Sequence, residues 1–139
     1  MSIRIDRVSE ARGLERGNRV LAMLKPFFCR ETVRRIIQRE LPQHAESQVL
    51  EVLSAYKSES EELTCRIYLG AVRLSDGRLD KLREVIREAK QDFRDVLGGA
   101  ENRSFYEMDV VAYENHSEDE KDRIADEDLN DYLRWLQKP

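Results

Sequence analysis

Residues 78–97 carry the pattern that most limits what this chain can become. Wound at about 100° per residue, Leu79, Leu82, Val85, Ile86, Ala89, Phe93, Val96 and Leu97 fall within one arc of roughly 120°. A stripe of that kind serves one purpose, burial against other helices. Shorter stretches repeat the period. Val33, Ile36, Ile37 and Leu41 mark a helix over about 30–41, which Pro42 closes. Ala45, Val49, Val52, Leu53 and Tyr56 mark another over about 44–56. A helix opening between Ser9 and Asn18 is expected to end at Lys25-Pro26, with Phe27 and Phe28 as core anchors.

Residues 63–74 fit two patterns. Cys65, Ile67, Leu69 and Ala71 alternate as in a strand, while Leu63, Ile67, Gly70 and Leu74 form a helical stripe. Ser58 and Glu61 have capping-box spacing, which favours the helix. Gly98-Gly99 is expected to end the helix that starts after Ser75-Asp76-Gly77. Residues 104–113 show no stripe and read as extended chain, able to pair with an alternating arm at 2–8. Ser117 and Glu120 cap a short helix to about Ala125, and Asp126 caps a last one burying Leu129, Tyr132, Leu133 and Leu136. The expected fold is all-α, one helical domain over 1–139, with at most that minor two-stranded pairing. Only nine residues are Gly or Pro, too few for a loop-rich sandwich.

The end of the long helix carries a motif. Lys90-Gln91-Asp92-Phe93-Arg94-Asp95-Val96-Leu97, then Ala100-Glu101, resembles a pattern in small uncharacterised bacterial helical proteins. There the pattern follows a helix like Arg66–Leu74, and the chain closes on a helix ending Trp-Leu, as Trp135-Leu136 do here. The resemblance covers about residues 63–136, and Gly98-Gly99 departs from its Ala-rich continuation. It implies a recurrent helical domain and no activity.

Charge is unevenly spread. The net charge is −4. Residues 1–39 hold ten Lys/Arg against four Asp/Glu, and residues 107–131 hold eleven Asp/Glu against two Lys/Arg. Either the acidic segment folds back on the basic one, or one of them faces a partner of opposite charge. Next to the apolar arc of 78–97 lies a ridge of Arg83, Arg87, Lys90 and Arg94. It is either a solvated edge whose stems cover the core or a docking ridge. Glu118, Asp119, Glu120 and Asp122 are the acidic counterpart. Asp92 and Asp95 sit where carboxylates oppose the helix dipole. They are expected to form structural ion pairs with Arg34, Arg35, Arg39, Arg66 or Arg73, or to meet a neighbouring helix N-terminus.

Chemical signatures are sparse. His44, His116, Cys29 and Cys65 lack the paired spacing of a zinc site, and the two cysteines read as small buried thiols of a reducing compartment. No nucleophile motif, phosphate loop or Ca²⁺ loop occurs, so no catalytic residue, metal or cofactor is expected. No leader or membrane span is visible, and a cytoplasmic location is expected. The leading expectation is a non-enzymatic protein-interaction module, an inhibitor or immunity-like or accessory protein. The alternative is a nucleic-acid-associated regulator using the basic residues of helices 30–41 and 78–97. A hydrolase with carboxylates assembled in space ranks third.

Overall fold

The computed structural model describes Arg19 and residues 21–139, and every regular element among them is helical. The all-α expectation holds for these residues. The end of a helix at 21–24 runs into a 3-10 turn, Lys25–Phe27, with Pro26 inside it. The helices that follow are α1 (Arg30–Glu40), α2 (Glu46–Leu53), α3 (Glu61–Leu74), α4 (Leu79–Glu101), α5 (Arg103–Glu107), α6 (Val110–Glu114) and α7 (Glu118–Gln137). The arm at 2–8 lies outside the described residues.

The ambiguous stretch 63–74 is helix and sits at the centre. Thr64, Cys65 and every residue from Ile67 to Val72 are buried, so α3 is apolar almost all round, as a central helix must be. Helices α1 and α4 pack on it, and α2 packs on α1 and α4. Among the described residues the buried apolar side chains, Ile124 apart, form one cluster from Leu24 to Leu136. The capping box at Ser58 is replaced by a simpler cap: Ser60 accepts from the Leu63 N–H at 3.0 Å, and Ser58 bonds the Ser60 carbonyl.

Helix α4 departs from the expected straight rod. Asp92 has φ −155° and ψ 101°, the angles of extended chain, and the helix restarts after it. The restart turns residues 93–101 back onto α3. Gly70 permits the crossing: a Cβ there would lie 3.2 Å from the Ala100 Cβ and 3.7 Å from Val96. The 100° register holds up to the buried Ala89 and then breaks, so Phe93 is only half-buried while Val96 and Leu97 are buried. Gly98-Gly99 does not end the helix. It continues to Glu101, and Asn102 caps it through its N–H to the Gly98 carbonyl at 2.8 Å.

Residues 104–113 are not extended. They form α5 and α6, each of five residues, too short to show a periodicity. Ser117 does cap α7, accepting from the Glu120 N–H at 3.2 Å. That helix then runs unbroken to Gln137, with no second start at Asp126. Its end is clamped onto α1. Arg35 donates to the carbonyls of Leu136 and Lys138, Arg39 donates to Lys138, and the Trp135 indole donates to Glu40 at 2.8 Å.

The α3–α4 crossing sets a test of the packing. Gly70→Val places two extra carbons beyond the Cβ in a gap already filled by Ala100 and Val96. Overpacking of this kind costs about 1–3 kcal/mol, and urea denaturation should show that loss. A variant as stable as the parent would mean that α3 and α4 do not touch at Gly70.

Candidate functional site

The expected four-residue ridge is divided by the kink. Arg83, Arg87 and Lys90 precede Asp92 and stay together on the exposed side of α4. They line a groove of about 430 Å³ between α4 and α2. Gln48 and Glu51 form its far wall, and Val52 and Ile86 lie along its floor. Arg94, beyond the kink, belongs to a different part of the surface and bonds Asp92.

The three groove cations stand together without partners. Among the described residues, none of them forms an ion pair or hydrogen bond. Elsewhere most of the basic side chains are engaged. Arg30 pairs with Glu61, Arg34 with Glu46 (2.9 Å), Arg73 with Asp131 (2.5 Å) and Arg103 with Glu107 (3.2 Å). The pairing with Arg30 holds the Glu61 carboxyl below its usual range. The groove cations also repel one another. Arg83 and Arg87 are four residues apart on one face, an arrangement that weakens a helix by roughly 0.2–0.5 kcal/mol.

Asp92 and Asp95 do not reach Arg34, Arg35, Arg39, Arg66 or Arg73. Their placement has a local cause. Asp92 is the N-cap of the restarted half-helix: its Oδ1 accepts from the Arg94 N–H at 3.1 Å. Asp95 then lies in a first turn, where a carboxylate suits the dipole. The residues oppose no dipole, because the helix end they seemed to occupy is a beginning.

Sequence reading missed two buried acids. Glu101 accepts two hydrogen bonds from Arg66, at 2.8 and 2.6 Å, and is 6% exposed. Asp128 is 5% exposed and accepts from the Ser104 N–H at the start of α5. The acidic segment is thus partly structural. Asp131 holds Arg73, Asp126 pairs with Arg19 at 3.7 Å, and Glu118 reaches Lys121 at 3.7 Å. Glu118, Asp119 and Glu120 form the first turn of α7, where negative charge is favourable; Asp122, one turn on, is half-buried. Cys65 is buried, and that burial pushes its thiol pKa up, which keeps it protonated and inert. Cys29 is less buried than expected, and its Sγ lies 3.3 Å from the Thr32 Oγ1. No group of residues able to hold a metal ion and no helix long and apolar enough to cross a membrane occurs among the described residues. Comparison with protein-family models, curated proteins and solved structures returns no match.

The cap at Asp92 titrates in a predictable direction. The Arg94 guanidinium, and then the Arg94 amide, hold the Asp92 carboxyl below its ordinary range. A depressed carboxyl stabilises the fold above its unfolded pKa, and that contribution is lost as pH falls through the folded value. In Arg94→Ala the Asp92 midpoint, followed by carboxyl NMR, should move up towards the ordinary range. An unchanged midpoint would remove Arg94 as the cause.

Proposed function

We propose that this chain is a non-enzymatic protein-interaction module whose groove between α2 and α4 receives an acidic segment of a partner protein. The observation that carries this reading is the cluster of three unpartnered cations, Arg83, Arg87 and Lys90, along an apolar-floored groove. Most other basic side chains have a task in holding the fold. These three add a local repulsion and, among the described residues, no ion pair or hydrogen bond, and residues that break a local rule without structural gain are where function is expected. An acidic amphipathic helix or strand supplies both missing parts, carboxylates for the ridge and an apolar edge for Val52 and Ile86.

The alternative, a nucleic-acid-associated regulator, needs the basic face of α1 as well. Arg30 and Arg34 are paired with Glu61 and Glu46, and Arg35 and Arg39 hold the end of α7. Binding phosphates there would break those contacts, which favours the protein partner. The interior of a cell is the setting that suits two free thiols, Cys29 and Cys65. Inhibitors and accessory subunits act by such surface occupation. The reading does not depend on Glu118, Asp119, Glu120 and Asp122.

Fluorescence anisotropy can test it, with three labelled probes: an amphipathic Leu/Glu peptide, its Leu/Lys counterpart and a short DNA duplex. The Leu/Glu peptide should bind, more weakly as salt rises. Charge reversal at the groove (Arg83→Glu, Arg87→Glu and Lys90→Glu together) should weaken it by about an order of magnitude, since exposed ionic contacts contribute ~0.2–1 kcal/mol each. Circular dichroism should be unchanged. Tighter binding of DNA through the same residues, or peptide binding indifferent to the reversal, would overturn the proposal.

A further inference from the structure

A second cleft, of about 450 Å³, is walled by α4, α5, α6 and α7 and lies apart from the basic groove. Its volume is in the range that small ligands occupy. Its walls are aromatic. Phe105 stands edge-on to Tyr106, with centroids 5.5 Å apart, and to Tyr113, with centroids 4.7 Å apart. These rings are not part of the buried core: Phe105 is 44% exposed and Tyr106 47%. Gly98 makes room for one of them. A Cβ at Gly98 would fall 2.0 Å from the Tyr106 ring. Glycine is unfavourable inside a helix, so its presence here is explained by the ring that covers it.

The charged lining consists of Arg66, Arg94 and Lys121 with Glu101 and Asp128. Arg66 and Glu101 neutralise each other. Asp128 does not share in that pair. Its two oxygens accept from the single Ser104 N–H, at 3.1 and 3.2 Å, and no cation pairs with it among the described residues. A carboxylate offers about four acceptor sites, and a buried charge normally has a partner of opposite sign. The cations near the mouth are committed elsewhere, Arg94 to Asp92 and Lys121 to Glu114 and Glu118. With these ion-pair partners included, the cleft carries two more carboxylates than cations. It already holds one ammonium on a ring face: the Lys121 Nζ lies 5.1 Å from the Tyr113 centroid.

We propose that this cleft binds an organic ammonium compound with an apolar body. The ammonium group meets the Asp128 carboxylate, and the body lies against Phe105 and Tyr106. Aromatic faces beside a carboxylate are the surroundings in which organic cations are recognised. An anionic ligand would have to displace Asp92, Glu114 or Glu118 from the mouth cations and then approach Asp128. This site shares no residue with the groove between α2 and α4, so its test stands or falls alone.

The test is an NMR titration of the whole chain with phenethylammonium, beside 2-phenylethanol and phenylacetate, which keep the ring and change the charge. Phenethylammonium should shift the Tyr106 and Tyr113 resonances saturably, and the other two should bind at least about tenfold more weakly. Asp128→Asn keeps an acceptor for the Ser104 N–H and removes the charge, so it should abolish the preference for the ammonium over the alcohol. Should that variant fail to fold, Phe105→Ala decides, because Phe105 lies outside the core; it should weaken phenethylammonium by about tenfold. The proposal is overturned if phenethylammonium gives no saturable shift at millimolar concentration, if phenylacetate binds better, or if the variant examined binds as the parent does.

Discussion

Arg66 and Glu101 meet where the second half of α4 crosses α3, and the rest of the structure is arranged around that meeting. Two charge-assisted hydrogen bonds join them, and the Arg66 guanidinium also lies 5.5 Å from the centre of the Phe28 ring. The Glu101 side chain is almost wholly removed from water, so its charge is tolerable only with Arg66 in place. One turn along α3, Gly70 lets Ala100 approach closely. The chain can reach this crossing only by turning back after Lys90, and the break at Asp92 provides the turn. Asn102 then ends α4 so that α5 starts over the Asp128 carboxylate of α7.

The same crossing fixes where the exposed cations lie. Before the break, α4 follows its apolar arc and holds Arg83, Arg87 and Lys90 out towards α2. After it, Arg94 turns to the Asp92 cap. The basic side chains therefore divide by role. Arg66 and Arg73 stand against the core, with Arg73 between Asp131 and the rings of Tyr132 and Trp135. Arg35 and Arg39 hold the end of α7. The three on the groove hold nothing on this chain among the described residues, and the proposed function begins there.

Much of this architecture is legible in the amino-acid order, because burial on one side of a helix imposes a period. The helices around Val33–Ile37, Val49–Leu53 and Leu79–Ala89 show it, and the Ser117 cap has its own signature. The kink also left a mark. Asp92 and Asp95 looked misplaced at a helix end, yet an Asp cap with a second acid in the turn after it is how a helix start reads. Taking residues 78–97 as one rod hid that. Helices α5 and α6 could not announce themselves, since five residues complete less than two turns. Glu101 and Asp128 were invisible for another reason. Acids are usually solvated, and only the three-dimensional crossing shows that these two are not. Arg66 appeared as one of five interchangeable arginines until the approach of Ala100 to Gly70 selected it.

The division of the basic side chains can be measured by urea denaturation of two variants. Arg66→Met leaves the Glu101 carboxylate buried without a partner. The expected loss is roughly 3 kcal/mol, at the lower end for a broken buried pair because Arg66 keeps some contact with water. Replacing Arg83, Arg87 and Lys90 together by Gln removes three exposed, mutually repelling charges, and stability should stay within about 1 kcal/mol of the parent or rise. A groove variant that loses as much as Arg66→Met, or an Arg66 variant as stable as the parent, would contradict the account.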